Sequence, residues 1–170
     1  GYAEWHGLKL SIGEKSINPS NVSTFRQRYL AEIRKRHGGS TIVCDKMPHN
    51  FRFIPLILAA LPSAKIVHLE RSPGATCWSN YKQLMFGEGL SYSNNLADIS
   101  SYYQMYKELI DNWQGLYGDK LYTCNYDVLT KNPIQETKKL VDAVDLPWED
   151  ACLTPEKNAR NVSTKSLVQV

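Results

Sequence analysis

One stretch constrains this chain more than any other: Lys65-Ile-Val-His-Leu-Glu-Arg71-Ser72-Pro73-Gly-Ala-Thr-Cys-Trp-Ser79. It reads as a short buried strand, a tight turn and the start of a helix. Ile66, Val67 and Leu69 form the apolar, partly β-branched run expected of a parallel strand covered on both faces. Ser72 is a helix-capping residue type, and Pro73 at the first helical position has a preset φ and no N–H to leave unpaired. Gly74 allows a close approach of the first turn to a ligand. Arg71 is left at the carboxyl end of the strand, where open α/β sheets hold ligands. Ser79, two turns into the helix, can aim its hydroxyl at the same anion. An arginine fork, a hydroxyl and free helix amides make a phosphate site. An ordinary strand-to-helix turn with a surface arginine fits the spacing equally well.

The rest of the chain supplies further strands and helices of the same kind. Residues 41–44 (Thr-Ile-Val-Cys) read as the first strand, and Lys46 follows at its carboxyl end, placed to approach the crevice of Arg71. Residues 120–124 (Lys-Leu-Tyr-Thr-Cys) read as a third strand, which puts Cys44 and Cys124 in buried strands. Helices are expected over 25–37, with Ser23 or Thr24 as cap and Phe25, Tyr29, Ile33 and Leu30 as the apolar stripe. Asn18-Pro19-Ser20-Asn21 reads as a turn. Further helices are expected over 50–61, bent at Pro55, from Pro73 to Phe86, from Asp98 or Ser100 to Tyr117, and from Pro133 to Val144. The last of these buries Ile134, Leu140, Val141 and Val144. Tyr102, Tyr103, Tyr106, Leu109, Ile110 and Trp113 recur at helical spacing and read as core. His68, inside the central strand, reads as a satisfied core histidine, and His49 as a cap or a solvent-facing side chain.

Four segments, in order, carry a family resemblance: Cys44-Asp45-Lys46-Met47-Pro48; Arg71 with Ser79 eight residues on; Asn125-Tyr126-Asp127-Val128-Leu129 with Asn132-Pro133; and Asp145-Leu146-Pro147-Trp148. From about Phe25 onward the chain resembles the sulfotransferases that use 3'-phosphoadenosine 5'-phosphosulfate (PAPS), nearest to the bacterial and tyrosylprotein-type branch. The resemblance implies an α/β, P-loop-containing nucleoside triphosphate hydrolase-like fold, a parallel sheet flanked by helices. It implies a sulfotransferase domain over 1–170, incomplete at its N-terminus, with its C-terminal boundary left open. The implied reaction moves a sulfuryl group from PAPS to an acceptor hydroxyl or amine by in-line displacement, releasing adenosine 3',5'-bisphosphate.

On the same resemblance, Lys46 takes the catalytic role beside the 5'-phosphate and the transferring group. A compact ammonium suits it, because negative charge builds on the bridging oxygen. Arg71 and Ser79 hold the 3'-phosphate, Tyr126 lies near that end of the nucleotide, and Ser166 donates from a closing C-terminal segment. Tyr126 can also anchor its loop through a buried hydroxyl. Gln83 stands where the tyrosylprotein-type branch tends to carry a second arginine, which leaves Lys82 or Arg160 to assist Arg71. Pro48 stands where the cytosolic branch carries its basic histidine. The Ser/Gly/Thr-rich 5'-phosphosulfate loop is absent, and no residue is assigned as the catalytic base. Gly13-Glu-Lys15-Ser16 does not replace that loop: Glu14 stands where a phosphate loop needs its second glycine. The alternative reading is a non-catalytic nucleotide-binding or interaction module on the same fold. A nucleotide-triphosphate enzyme would need a Walker lysine and metal-binding acids, and neither is found.

Bulk composition sets the bounds. The 170 residues make one domain, and 42% hydrophobic with 22% charged residues is a globular balance. A net charge of +3 accommodates a local anion site and does not amount to a nucleic-acid footprint. No apolar run reaches membrane-spanning length. The four cysteines have no metal-finger spacing, and no His/Asp/Glu set has ligand spacing, so no metal is expected. The even count leaves a disulfide formally open. Without a signal-peptide pattern the expected compartment is cytoplasmic. The acceptor and the oligomeric state are not legible.

Overall fold

In a computed structural model the described residues are 19–37, 42–83 and 90–157. At the centre lie two parallel strands, β1 (Ile66–Glu70) and β2 (Leu121–Asn125), with Ile66 opposite Leu121 and Glu70 opposite Asn125. The α/β character with a parallel pair flanked by helices therefore stands. Among the described residues the sheet has two strands.

The expected strand at 41–44 is a correction. Residues 42–47 have no regular structure, Ile42 is 64% exposed and Cys44 is exposed. A strand is defined by its ladder partner, and no described segment pairs with this one.

The α1 helix (Pro19–His37) begins earlier than the sequence reading, because Pro19 starts the helix instead of closing a turn. Its stripe packs as expected: Phe25 and Tyr29 lie against Leu56, Ile57 and Ala60, with Leu30 and Ile33 at the margin. Arg26 Nη1 donates to the Ala60 carbonyl at 2.6 Å, which satisfies the end of the partner helix. Pro55 shapes the next segment. A 3-10 turn (Pro48–Phe53) runs into α2 (Ile54–Ala60), with the proline accommodated in the first helical turn.

From β1 the chain enters α3 (Pro73–Lys82), which ends short of the expected Phe86 at its C-cap Gln83. The long α4 (Leu96–Tyr117) starts two residues before the expected Asp98, because the Asn95 side chain accepts the Ala97 amide at 2.7 Å. Ile110, Tyr106, Trp113 and Tyr117 of α4 pack with Ile54, Leu58 and Leu121, so the aromatic stripe is core. Trp113 Nε1 donates to the Phe51 carbonyl at 3.0 Å and ties α4 to the 3-10 turn.

After β2 come α5 (Tyr126–Lys131) and α6 (Pro133–Ala143), the latter opening on Pro133 as expected. The end of α6 explains the Asp145-Leu146-Pro147 segment. Asp145 adopts φ 56°, its N–H donates to the Asp142 carbonyl at 2.9 Å, and the Leu146 N–H donates to that of Val141 at 3.1 Å. This is a Schellman cap with aspartate at the left-handed position, followed by proline. Ile134 is another correction: it is 55% exposed, on the outer side of its first turn.

The two faces of the sheet differ. One carries Ile66, His68, Leu121 and Thr123 and is covered by α4 and α2. On the other, α6 packs on β2, and Cys124 is buried. Val67 and Leu69 on β1 are 41% and 58% exposed, against the expected double burial, so that side of β1 is largely open. All four cysteines are free. Among the described residues no helix is long and apolar enough to cross a membrane, and no cluster of His, Cys, Asp or Glu could hold a metal ion.

Candidate functional site

The carboxyl ends of the paired strands form the site. With Glu70 opposite Asn125, the next residues on each strand, Arg71-Ser72 and Tyr126-Asp127, emerge side by side. The Arg71 guanidinium lies 5.5 Å from the centroid of the Tyr126 ring, a cation–π distance. The Ser72 amide donates to Asp127 Oδ2 at 2.9 Å. One turn is therefore braced against the other through a cation on a ring and a charge-assisted hydrogen bond.

Ser72 occupies the N-cap of α3, but its hydroxyl makes no capping bond, contrary to expectation. With no cap, the amides of Gly74 and Ala75 have no acceptor among the described residues. A methyl added at Gly74 would meet nothing within 4 Å, so this end of the helix faces open space.

Arg71, Ala75, Trp78, Ser79 and Lys82 line one cleft of about 240 Å³. Residues 75, 78, 79 and 82 share a helix face by their three- and four-residue spacing. The structure thus brings Arg71 and Ser79 to one place and adds Lys82 and Trp78. Trp78 was not singled out from the sequence, although its spacing from Ala75 and Lys82 carried the signal. Among the described residues, neither Arg71 nor Lys82 is in an ion pair. The cleft is therefore cationic.

Other expected residues fall elsewhere. Lys46 is exposed in the irregular segment 42–47 and does not line the cleft. Its neighbour Asp45 accepts the Tyr29 hydroxyl at 2.9 Å, which pins that segment to α1. Tyr126 is 40% exposed and presents its ring face to Arg71. Its hydroxyl makes no hydrogen bond among the described residues, so the expected buried-hydroxyl anchor is corrected. Gln83 caps the end of α3. Ser166, Arg160 and the Gly13–Ser16 segment lie outside the described residues. His49 is half-buried between Phe51 and Tyr102, with centroids 6.4 and 6.3 Å away, and is not a helix cap or a fully solvated side chain.

Asp127 is the residue that sequence reasoning missed. It is 55 residues from Ser72, and only the strand register brings the two together.

Beneath the site, His68 is buried and its hydrogen bonds are directional. Thr123 Oγ1 donates to Gln114 Oε1 at 3.3 Å, so His68 Nδ1–H donates to Thr123 Oγ1 at 3.4 Å. Nε2 is then the acceptor of the Tyr106 hydroxyl. Burial holds the His68 pKa below its ordinary value, partly opposed by Glu70. Burial also pushes Tyr106 up to about 12. His68 is a neutral structural residue, as expected, and links β1 to α4.

Comparison with known proteins follows the same lines. The model of a sulfotransferase family matches residues 13–150. This chain belongs to that family. It is 30% identical to an uncharacterized protein of Aquifex aeolicus, over 98% of this chain and 22% of that one. It is 22% identical to protein-tyrosine sulfotransferase 1 of Danio rerio, over 95% of this chain and 46% of that protein. It is 21% identical to the protein-tyrosine sulfotransferase of Drosophila melanogaster, over 87% and 30% respectively. The chain spans less than half the length of each of these relatives. No solved structure matches it.

Proposed function

We propose that this sulfotransferase-family chain holds the 3'-phosphate end of PAPS, or of adenosine 3',5'-bisphosphate, in the cleft at the start of α3. Arg71 supplies a planar fork and Ser79 a hydroxyl; Lys82 adds a second positive charge, and the amides of Gly74 and Ala75 complete the cradle. The cleft of about 240 Å³ falls below the roughly 300–1,000 Å³ of ordinary ligand clefts. Its size suits one phosphate-bearing end of a nucleotide. Tyr126 orients the guanidinium, Ser166 supplies a further donor to the nucleotide, and Lys46 neutralises the leaving side during sulfuryl transfer to an acceptor hydroxyl or amine. Such a transfer depends on positioning and charge neutralisation, with no metal required by the residues present. The observation that supports the reading is the meeting of Arg71 and Ser79 in one cleft, with the guanidinium in no ion pair among the described residues.

Calorimetric titration with adenosine 3',5'-bisphosphate, AMP and ATP tests it. The expected result is a preference for the 3'-phosphorylated ligand that is abolished in Arg71→Ala. Equal indifference to all three ligands would overturn it. The exposed position of Lys46 outside the cleft favours a second reading, a nucleotide-binding module without turnover. Binding of the bisphosphate without sulfuryl transfer from PAPS, with relative-like acceptor peptides supplied, would select that reading.

A further inference from the structure

We infer that Asp127 is a positioning residue for the anion cleft, setting where Arg71 and the first amides of α3 present themselves; this rests on the functional reading above. Arg71 sits on a connection of two residues between β1 and α3, and among the described residues its exposed side chain has no ion pair to hold it. What restrains it comes from the neighbouring strand end. Asp127 Oδ2 accepts the Ser72 amide at 2.9 Å, and the Tyr126 ring lies 5.5 Å under the guanidinium. Asp127 is itself fixed by the start of α5, where Asn125 Oδ1 accepts the Val128 amide at 3.0 Å and Thr130 Oγ1 donates to the Asp127 carbonyl at 3.2 Å.

An acidic residue in the first turn of a helix ordinarily serves that helix, through its dipole or its free amides. The Asp127 side chain instead bonds an amide across the sheet, on the turn that carries Arg71. The bond has a second consequence. It occupies the Ser72 N–H, so an anion arriving at the turn finds the amides of Gly74 and Ala75 and not that of Ser72. The carboxylate thus fixes the register in which a phosphate docks, one residue into the helix and beside Arg71.

The test compares the ratio of AMP to adenosine 3',5'-bisphosphate dissociation constants in the unaltered protein and three variants, with thermal unfolding recorded alongside. Asp127→Ala removes the acceptor, and the ratio should fall by about tenfold. Asp127→Asn keeps an oxygen acceptor and should restore the ratio to within about threefold of the unaltered protein. Ser72→Pro deletes the donor from the other side at a backbone φ of −51°, which proline accepts, and should lose the ratio as Asp127→Ala does. It also stands in if Asp127→Ala does not fold. A merely structural Asp127 would lower the melting temperature and weaken both ligands in parallel with the ratio unchanged, which overturns the inference while leaving the functional reading intact. Absence of any preference in the unaltered protein overturns the functional reading and this inference with it.

Discussion

Replacing Tyr106 by Phe deletes one oxygen from the interior and leaves the ring packing in place. In the intact protein that oxygen is a donor at any ordinary pH, because burial pushes the Tyr106 pKa up to about 12. Its hydrogen goes to Nε2 of His68, a residue that is 8% exposed. The second ring nitrogen is already committed to Thr123. Without Tyr106 the Nε2 lone pair is buried with no donor, at a cost of about 1–3 kcal/mol. No methylene is removed, so there is no large cavity contribution. A loss of about 2 kcal/mol at pH 7.5 is therefore expected.

The pH dependence carries the sharper test. His68 is held neutral in the fold, its pKa lowered chiefly by burial, while in the unfolded chain it titrates near 6.5. Above that value both states are neutral and the stability is fully present. Below it the unfolded chain binds a proton that the fold resists. Stability then falls by up to about 1.4 kcal/mol per pH unit until the folded pKa is reached. Once His68 is protonated, Nε2 no longer accepts from Tyr106, so the gap between the two proteins should narrow as the pH drops. Urea unfolding followed by circular dichroism between pH 7.5 and 5, at unchanged m-value, measures this. A difference below about 0.5 kcal/mol at pH 7.5, or one that does not change with pH, would refute the reasoning.

Substitutions at two other positions probe the cleft and the C-terminal cap of α6. Lys82→Ala should weaken adenosine 3',5'-bisphosphate binding by about two- to fivefold and flatten its dependence on salt, as read by titration at two ionic strengths; Lys82→Arg should not. Asp145→Gly relieves a left-handed backbone (φ 56°) at the loss of an exposed bridge to Lys65 (2.6 Å), and should raise stability by up to about 1 kcal/mol in chemical unfolding, whereas Asp145→Val should lower it by about 1–2 kcal/mol.

Much of the molecule was legible in short windows of sequence. The runs at 66–70 and 121–125 carry the apolar and β-branched content of strands between turn residues, and they are strands. Pro73 and Pro133 open helices because a preset φ and a missing N–H cost nothing there. The aromatic spacing along α4 marked its core face, and the Arg71 to Ser79 interval placed both side chains on one cleft. These features depend on residues within two turns of one another.

Pairing was not legible in that way. Ile42-Val43-Cys44 has the composition of a strand, yet no described segment bonds to it. Val67 and Leu69 read as buried, but burial is conferred by whatever lies across the sheet, and α6 packs chiefly on β2. The Ser72–Asp127 bond and the stacking of Arg71 on Tyr126 exist because Glu70 falls opposite Asn125. A shift of one residue in that register would part them. Sequence alone thus determined the two paired strands, the helices opening at Pro73 and Pro133, the aromatic face of α4 and the residue types at the candidate cleft, all matters of local propensity and spacing, whereas the short α5 was not read from it. Tertiary structure alone decided which strand end meets which, and hence what holds the arginine in place, because that choice is made between segments 55 residues apart.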